Sequence, residues 1–333
     1  MPRLKSIAGL FVIGLAIFLS VRIARTLDGF MRTTGLTPAA TARLLFNSGV
    51  TMKESGGRTN IVLLGIAGGT HAGSDLTDTI IVLSLTSEAP SLAMISVPRD
   101  IWSETLKDKI NSAYHYGEAK KAGGGLILAK AILSDVVGLP IHYGVVVDFS
   151  GFQDMIDLVG GIELTVPQSF TDTEFPIPGK EDDPCDGDPT YACRFVAVHF
   201  DEGSQRMDGE RALIYVRSRH GEGEEGSDFA RTRRQQDVMI ALREQLSDPG
   251  VWTSPQRIAP LVDAFKKTVE TDMNIGELAT VGKLTSRIPP EQILRVSIEP
   301  LLTVPPISWY GRYVLLPVES FSQIHEYIAS QIE

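Results

Sequence analysis

The sequence predicts an α/β protein, a layered domain of alternating strands and helices carried behind one N-terminal transmembrane helix. Three observations predict it. Short, continuously apolar runs bounded by turn residues recur at 60–66 (NIVLLGI), 79–85 (TIIVLSL), 91–97 (SLAMISV) and 143–149 (YGVVVDF), the pattern of strands covered on both faces. Helix-length stretches with caps and stop signals lie between and after them, which gives a layered α/β arrangement. Residues 6–21 are uncharged and apolar, with Arg3 and Lys5 before them and Arg22 and Arg25 after.

The N-terminal run comes first. At about 1.5 Å per residue it is somewhat short for a bilayer core, but Lys5 and Arg22 can snorkel to the interface and lengthen the span. The leading basic residues favour a cytoplasmic N-terminus. A cleaved signal peptide is the competing reading. The residues after the run, Val21-Arg22-Ile23-Ala24-Arg25, do not form a small-x-small cleavage site, so an uncleaved anchor is preferred. No later run is long and apolar enough to span, so the sequence divides into a cytoplasmic tip and anchor (1–25), a linker (26–58) and an extracytoplasmic domain (59–333). That domain has a core over 59–245 and a C-terminal extension over 250–333. In the linker, 37–46 reads as a short helix with Thr37 as N-cap and Pro38 in its first turn.

Compartment and composition agree. The only cysteines, Cys185 and Cys193, flank a Pro/Gly/Asp-rich stretch and read as a loop disulfide in an oxidising compartment. A zinc site with Asp186, Asp188 and His199 adding ligands is the weaker reading. The formal net charge of −10 argues against a nucleic-acid partner, which calls for a basic face.

Along the domain, helices are expected from 110, over 126–137 up to Gly138, and over 150–158 with Ser150 as N-cap. A strand follows at 162–166, and a Pro/Asp/Gly-rich insertion occupies 167–194. Residues 209–215 read as helix or strand, and 229–245 as a long helix. Beyond Pro249, helices are expected at 255–269, 275–287 and 318–332, with strands at 293–298 and 313–316.

Five arginines fall within Arg217–Arg234, in YVRSRHGEGEEGSDFARTRRQQ. On a strand Arg217 and Arg219 face one side; on a helix Arg231, Arg234 and Gln235 share a face. Guanidinium forks match phosphate oxygens and stay charged at physiological pH. The plainer alternative is a solvated run of weak surface ion pairs with Glu222, Glu224, Glu225 and Asp228. Residues 221–227 read as a mobile, expendable acidic loop between the two arginine groups.

Other candidates lie upstream. The Gly-rich turn 65–78 lacks a Walker ending and by itself is most simply a strand connection. Its Asp75 and Asp78, with His71, are oxygen and nitrogen donors of the kind that hold a hard divalent ion. Pro98-Arg99-Asp100 sits just past a core strand, where ligands gather in open α/β sheets. The alternative for Arg99 is a structural ion pair with Asp100 or Asp78. Lys109 is a further phosphate-capable cation.

Taken in order, NIVLLGI with LTDTIIV, SVPRD, KINSAY, VVVDFSGFQDMIDLVGGIELTV, GERAL with YVRSRH, and DFARTRRQQ resemble the LytR–CpsA–Psr family over about 59–245. The resemblance implies an αβα fold on a twisted central mixed sheet. It also implies a phosphotransferase outside the membrane, moving a glycopolymer from a polyprenyl-pyrophosphate carrier to a wall acceptor such as peptidoglycan. The matching motifs assign phosphate binding to Arg99, Arg217, Arg219, Arg231, Arg234 and Gln235, with Lys109 in support. Asp78 would hold Mg²⁺, for which Mn²⁺ is a substitute. Asp100 and Asp228 are candidate orienters or bases, Asp228 alternatively a helix N-cap. One departure stands out: the family's acid after the first strand is replaced by Ala67 or Gly68, which leaves Asp75 or His71 to supply the second metal ligand. Helices 126–137 and 152–159 are candidate walls of a polyprenyl tunnel, or ordinary core. The remaining alternatives are a polyprenyl-pyrophosphate hydrolase and a non-catalytic lipid-glycan binder. A transcriptional regulator is disfavoured by the anchor and the acidic charge.

Overall fold

The computed structural model describes residues 50–69, 73–180, 182–252 and 255–332, together with Arg25 and Asp28. The expected anchor at 6–21, the linker helix at 37–46 and His71 lie outside the described residues. Among the described residues no helix is long and apolar enough to cross a membrane.

Strands β1 (Arg58–Ile66), β2 (Thr77–Thr86) and β3 (Leu92–Ser96) form an antiparallel meander. All five residues of β3 are buried, as its unbroken apolar run requires. Helices α1 (Ala113–Lys120) and α2 (Gly125–Val137) follow, and Gly138 closes α2 with a left-handed φ of 70°, a conformation glycine takes without a Cβ clash. Strand β4 (Tyr143–Asp148) then pairs parallel to β1. Helix α3 (Phe149–Leu158) begins one residue earlier than expected. Its N-cap is Asp148, whose carboxylate accepts from Gly151 N, rather than Ser150, because the strand runs straight into the helix.

The next stretch is a smaller assembly beside the sheet. Strand β5 (Ile162–Val166) leads into β6 (Phe170–Pro176) and β7 (Phe195–Phe200), which pair as a hairpin arm. Cys185 and Cys193 are joined at its tip. Strand β8 (Gly203–Met207) returns to β5, and helix α4 (Gly209–Arg217) follows. Ile156, Phe170, Phe200, Ala212, Tyr215 and Val238 belong to the core of this unit.

The long helix α5 (Asp228–Ser247) covers the sheet, followed by α6 (Pro255–Thr268), β9 (Val269–Thr271), α7 (Ile275–Thr285), β10 (Leu294–Ser297) and α8 (Phe321–Ile332). The central sheet has the order β9-β4-β1-β2-β3-β10. It is mixed: β10 runs parallel to β3 and β9 antiparallel to β4. Both edges are therefore built from residues read as a C-terminal extension. Residues 250–333 complete the core sheet instead of appending to it.

Layers on both faces bury the sheet. On one side Val62, Leu64, Val82 and Ile95 pack with Ile132, Val136, Ile324 and Ile328 of α2 and α8. On the other, Ile81, Leu85 and Met94 pack with Ile240 of α5 and Leu284 of α7. The inner face of α2 (Leu126, Ala129, Ile132, Leu133, Val136) lies in the first of these cores, which is the ordinary-core alternative for that helix.

Candidate active site

The register of the sheet creates the first functional feature. Gly65 pairs with Thr79 and Ile66 with Thr77, so Asp78 is the extra residue of a β-bulge. A bulge re-aims one side chain out of the ladder. Here it delivers Asp78 to a cavity of about 390 Å³ at the end of the sheet, walled by Asp78, Thr79, Arg99, Asp100, Asp228, Arg231, Gln235, Glu299 and Tyr313 among others. This is the end where β1, β3 and β4 finish, the place where open α/β sheets collect ligands.

Arg99 is the centre of the wall. Its Nη1 donates to Asp78 Oδ1. Its Nε stands 3.5 Å from Asp100 Oδ2 without a hydrogen bond. Asp100 in turn receives Lys109 Nζ at 2.7 Å, and Lys109 lies 5.9 Å over the Tyr313 ring. The ion pair foreseen as the alternative for Arg99 is thus present, and it sits on the cavity wall. With Asp78 and Arg99 side chains 32 % and 23 % exposed, an incoming anion can reach both groups.

Helix α5 supplies the opposite wall. Ser227, not Asp228, is its N-cap, accepting from Ala230 N. Asp228 is freed to face the cavity, where it pairs with Arg231 at 2.8 Å. Gln235, one turn on, donates to Thr79 Oγ1 at 3.1 Å, and Gln236 reaches Ser96 Oγ at 2.9 Å. These two amides lock α5 over the mouth of β2 and β3.

Arg217 and Arg219 are not on a strand. Residues 209–217 are helical, Ser218 is the C-cap, and Arg219 begins the following loop. The Arg217 guanidinium is 4.7 Å from the Phe149 ring centre and 5.6 Å from that of Phe175, a cation–π seat that is not on the cavity wall. Arg219 is held through its backbone: the fully buried Asp172 carboxylate accepts from Arg219 N at 2.9 Å and from His220 N at 3.3 Å. Burial, with Arg231 and Arg99 nearby, pushes the Arg219 guanidinium down to about 10, while Asp78 and Asp228 oppose the shift. Arg219 is not on the cavity wall.

Arg234 is a correction. It does not face the ligand space. Its side chain is fully buried, and it donates to Tyr215 O, Ser218 O, Glu225 O and Glu225 Oε2. On a helix, residues three apart diverge enough for Arg231 to meet the cavity while Arg234 meets the core. Glu225 is the second correction. It is 5 % exposed and also pairs with Arg233, so 221–227 is a structural brace, not an expendable loop.

The metal donors are sparse. Asp75 is engaged by His115 Nδ1 at 2.7 Å and does not line the cavity. Gly68 has a left-handed φ of 73°, and a Cβ there would meet Asp148 Cβ at 2.9 Å. The space where the family carries an acid is thus shared with the Asp148 carboxylate. Asp148 lies level with Ile66 across the sheet, as Thr77 does on its other side. Among the described residues the only cluster of three metal-ligand side chains is Asp183, Cys185 and Cys193, two of which are bonded to each other. Mg²⁺ needs only one or two carboxylates when phosphate and water complete its shell, so Asp78 fits that minimal role.

Sequence reasoning missed Asp148, Asp172, Glu299 and Tyr313. Asp148 was legible as an acid ending an apolar strand (VVVDF). Glu299 and Tyr313 reach the wall only through the return of the chain after β10.

The LytR_cpsA_psr family model matches residues 37–311. The chain belongs to the LytR–CpsA–Psr family. Among curated proteins it is 28% identical over 228 residues to the polyisoprenyl-teichoic acid–peptidoglycan teichoic acid transferase TagV of Bacillus subtilis, covering 67% of this chain and 51% of TagV. It is 27% identical over 227 residues to TagU of Oceanobacillus iheyensis, covering 67% and 61%. The chain thus spans between half and two thirds of these relatives' length. Among solved structures, B. subtilis TagV superposes with a TM-score of 0.59 at 24% identity, covering 84% of this chain and 98% of that one. TagT bound to LI-WTA superposes with a TM-score of 0.56 at 18% identity, covering 85% and 96%. These likenesses establish the mixed-sheet fold of the LytR–CpsA–Psr member.

Proposed function

We propose that this LytR–CpsA–Psr protein is a phosphotransferase that moves a glycopolymer from a polyprenyl-pyrophosphate carrier to a wall acceptor such as peptidoglycan. The observation that carries the reading is the cavity itself: Arg99 and Arg231 line it together with the bulged Asp78, and Lys109 is bound to Asp100 of the same wall. Cations converging on one space select a polyanion, and family membership narrows it to a lipid pyrophosphate. The curated relatives' names carry the same donor and acceptor classes.

Phosphoryl transfer needs alignment and charge neutralisation more than covalent help. An acceptor hydroxyl attacks the glycan-linked phosphorus, a new O–P bond forms, and the bridging P–O bond breaks to release polyprenyl phosphate. Arg99, Arg219 and Arg231 stabilise the oxygens that gain charge. Asp100 orients Arg99 and Lys109. The proton leaves to a cavity carboxylate. Burial and the neighbouring Asp228 push the Glu299 carboxyl above its ordinary range, which makes it a stronger proton acceptor than an exposed glutamate. Mg²⁺ held at Asp78 would neutralise the pyrophosphate when the donor binds. The apolar run at 6–21 would anchor the chain in the membrane that holds the donor, with the domain outside.

Ala67 or Gly68, in place of an acid, and the engagement of Asp78 by Arg99 favour one second reading, a lipid-glycan binder without turnover. The full chain in detergent, given a polyprenyl-pyrophosphate glycan and Mg²⁺, should release polyprenyl phosphate, and Arg99→Ala should abolish release while the domain stays folded. Tight binding with no release in any divalent metal would replace the enzyme by the binder. Release to water that no glycan acceptor intercepts would mark a hydrolase.

A further inference from the structure

The segment after β10 builds an aromatic surface that the phosphate chemistry does not use. It runs along the edge of residues 100–102: Leu315 N donates to Asp100 O at 2.9 Å, and Trp102 N to Leu315 O at 3.0 Å. Trp102 and Tyr310 meet edge to face with ring centres 4.8 Å apart. Trp309 is 71 % exposed and Tyr313 43 %. Tyr313 also lines the cavity, so the surface is continuous with the reaction space. Around the rings stand fixed polar groups. Asp108 receives Arg312 Nη1 at 2.8 Å and the Tyr116 hydroxyl at 2.6 Å, and Glu104 receives Trp102 Nε1 at 3.0 Å.

Large exposed aromatics normally cost solubility and mark a binding surface. Two occupants suit aromatic rings with polar tips: a lipid interface and a sugar polymer. The acids decide between them. Glu104 and Asp108 would have to be desolvated against lipid, which is expensive. Planar carboxylate and guanidinium groups near the exposed Trp309 and Tyr313 instead match a pyranose, with its apolar C–H face and ring of hydroxyls.

The geometry points to the exposed Trp309 and Tyr313, backed by the half-buried Trp102–Tyr310 pair, as the subsite for the acceptor glycan strand, stacking its sugar rings and presenting a hydroxyl to the cavity past Tyr313. This rests on the transfer reading only for the strand's role as acceptor. The binding itself is independent of turnover.

The test titrates the full chain in detergent with a soluble β-1,4-linked N-acetylhexosamine tetrasaccharide, by calorimetry and by saturation transfer from aromatic protons. Each of Trp309→Ala and Tyr313→Ala should weaken binding about three- to tenfold, the scale of one aromatic contact, and Trp309→Phe should restore most of it. In the transfer assay Trp309→Ala should raise KM for the glycan acceptor and leave release of polyprenyl phosphate to water unaltered. No saturable binding by the unmodified chain, or an affinity in both alanine variants equal to that of the unmodified chain, overturns the assignment. Quenching by brominated lipid in a reconstituted bilayer that Trp309→Phe removes would place the ring in the membrane and also overturn it. Glycan binding with no donor cleavage under any condition would sink the transfer reading and leave the subsite standing.

Discussion

Arg231 and Arg234 stand three residues apart on one helix and do opposite work. Arg231 lines a cavity, its charge shared with a half-exposed Asp228. Arg234 is fully enclosed, with a carboxylate and three backbone carbonyls around it and the Phe170 ring 4.8 Å from its guanidinium carbon. Burial pulls its pKa down, and the nearby Glu225 carboxylate opposes that. The difference teaches that a cluster of arginines is not one object. A buried guanidinium with its donors satisfied holds structure together; one with accessible donors beside a cavity is available to a ligand. Arg234 and Glu225 brace the turn between α4 and α5, and that brace sets where Arg219 and Arg231 stand.

Removing one member of each set separates the roles. The largest effect should come from Arg234→Ala. It leaves the buried Glu225 with Arg233 alone and strips the carbonyls of Tyr215, Ser218 and Glu225 of their donor, a loss of about 3–5 kcal/mol, seen as a lower midpoint in urea unfolding. A stable Arg234→Ala protein that has lost only ligand affinity would put Arg234 back in the pocket. Arg231→Ala should do the reverse. Turnover should fall about 10²- to 10³-fold, the cost of one charge-stabilising donor, while unfolding stays within about 1 kcal/mol because its pair with Asp228 is half exposed. Equal losses of stability in both variants would erase the comparison.

The smallest expected effect is in pH. Burial pushes the Arg219 guanidinium down from its ordinary range to about 10. Between those values the unfolded chain keeps a proton that the folded chain releases, so this group's contribution to stability rises with pH across that window. Binding runs the other way. An inorganic phosphate or pyrophosphate ligand favours the cation, so affinity should weaken as pH rises through about 10, with proton uptake on binding. Calorimetry in two buffers of different ionisation heat reads that uptake, and Arg219→Gln should flatten the high-pH limb. An unchanged limb in Arg219→Gln would remove Arg219 from the ligand's field.

Much of the scaffold was legible in the chain because continuous apolar runs leave few alternatives. β3 reads as buried and is; Gly138 reads as a helix stop and is. Of the residues that the motifs single out, the fold brings Arg99, Asp78, Arg231 and Gln235 to one cavity. The errors share one cause. Arg217–Arg219 spacing suited a strand, yet helix α4 runs through Arg217, because Asp208 caps it by accepting from Arg211 N and its apolar residues pack into the satellite core. Ser150 was preferred as N-cap over an Asp148 that still belongs to the strand. Glu225 looked solvated because its partner, nine residues on, becomes a partner only when α5 folds back.

By itself the sequence determined the α/β class, the main strands, the cysteine pairing and the order of motifs that identifies the family. These depend on local periodicity, on spacing and on residue type. Only the tertiary structure decided which arginines face a ligand, that Asp78 sits on a bulge, and that 250–333 closes both edges of the sheet and brings Glu299 and Tyr313 to the cavity. Those facts depend on contacts between residues far apart in the chain. Burial and strand pairing across the fold determine them, and no local window of sequence contains either.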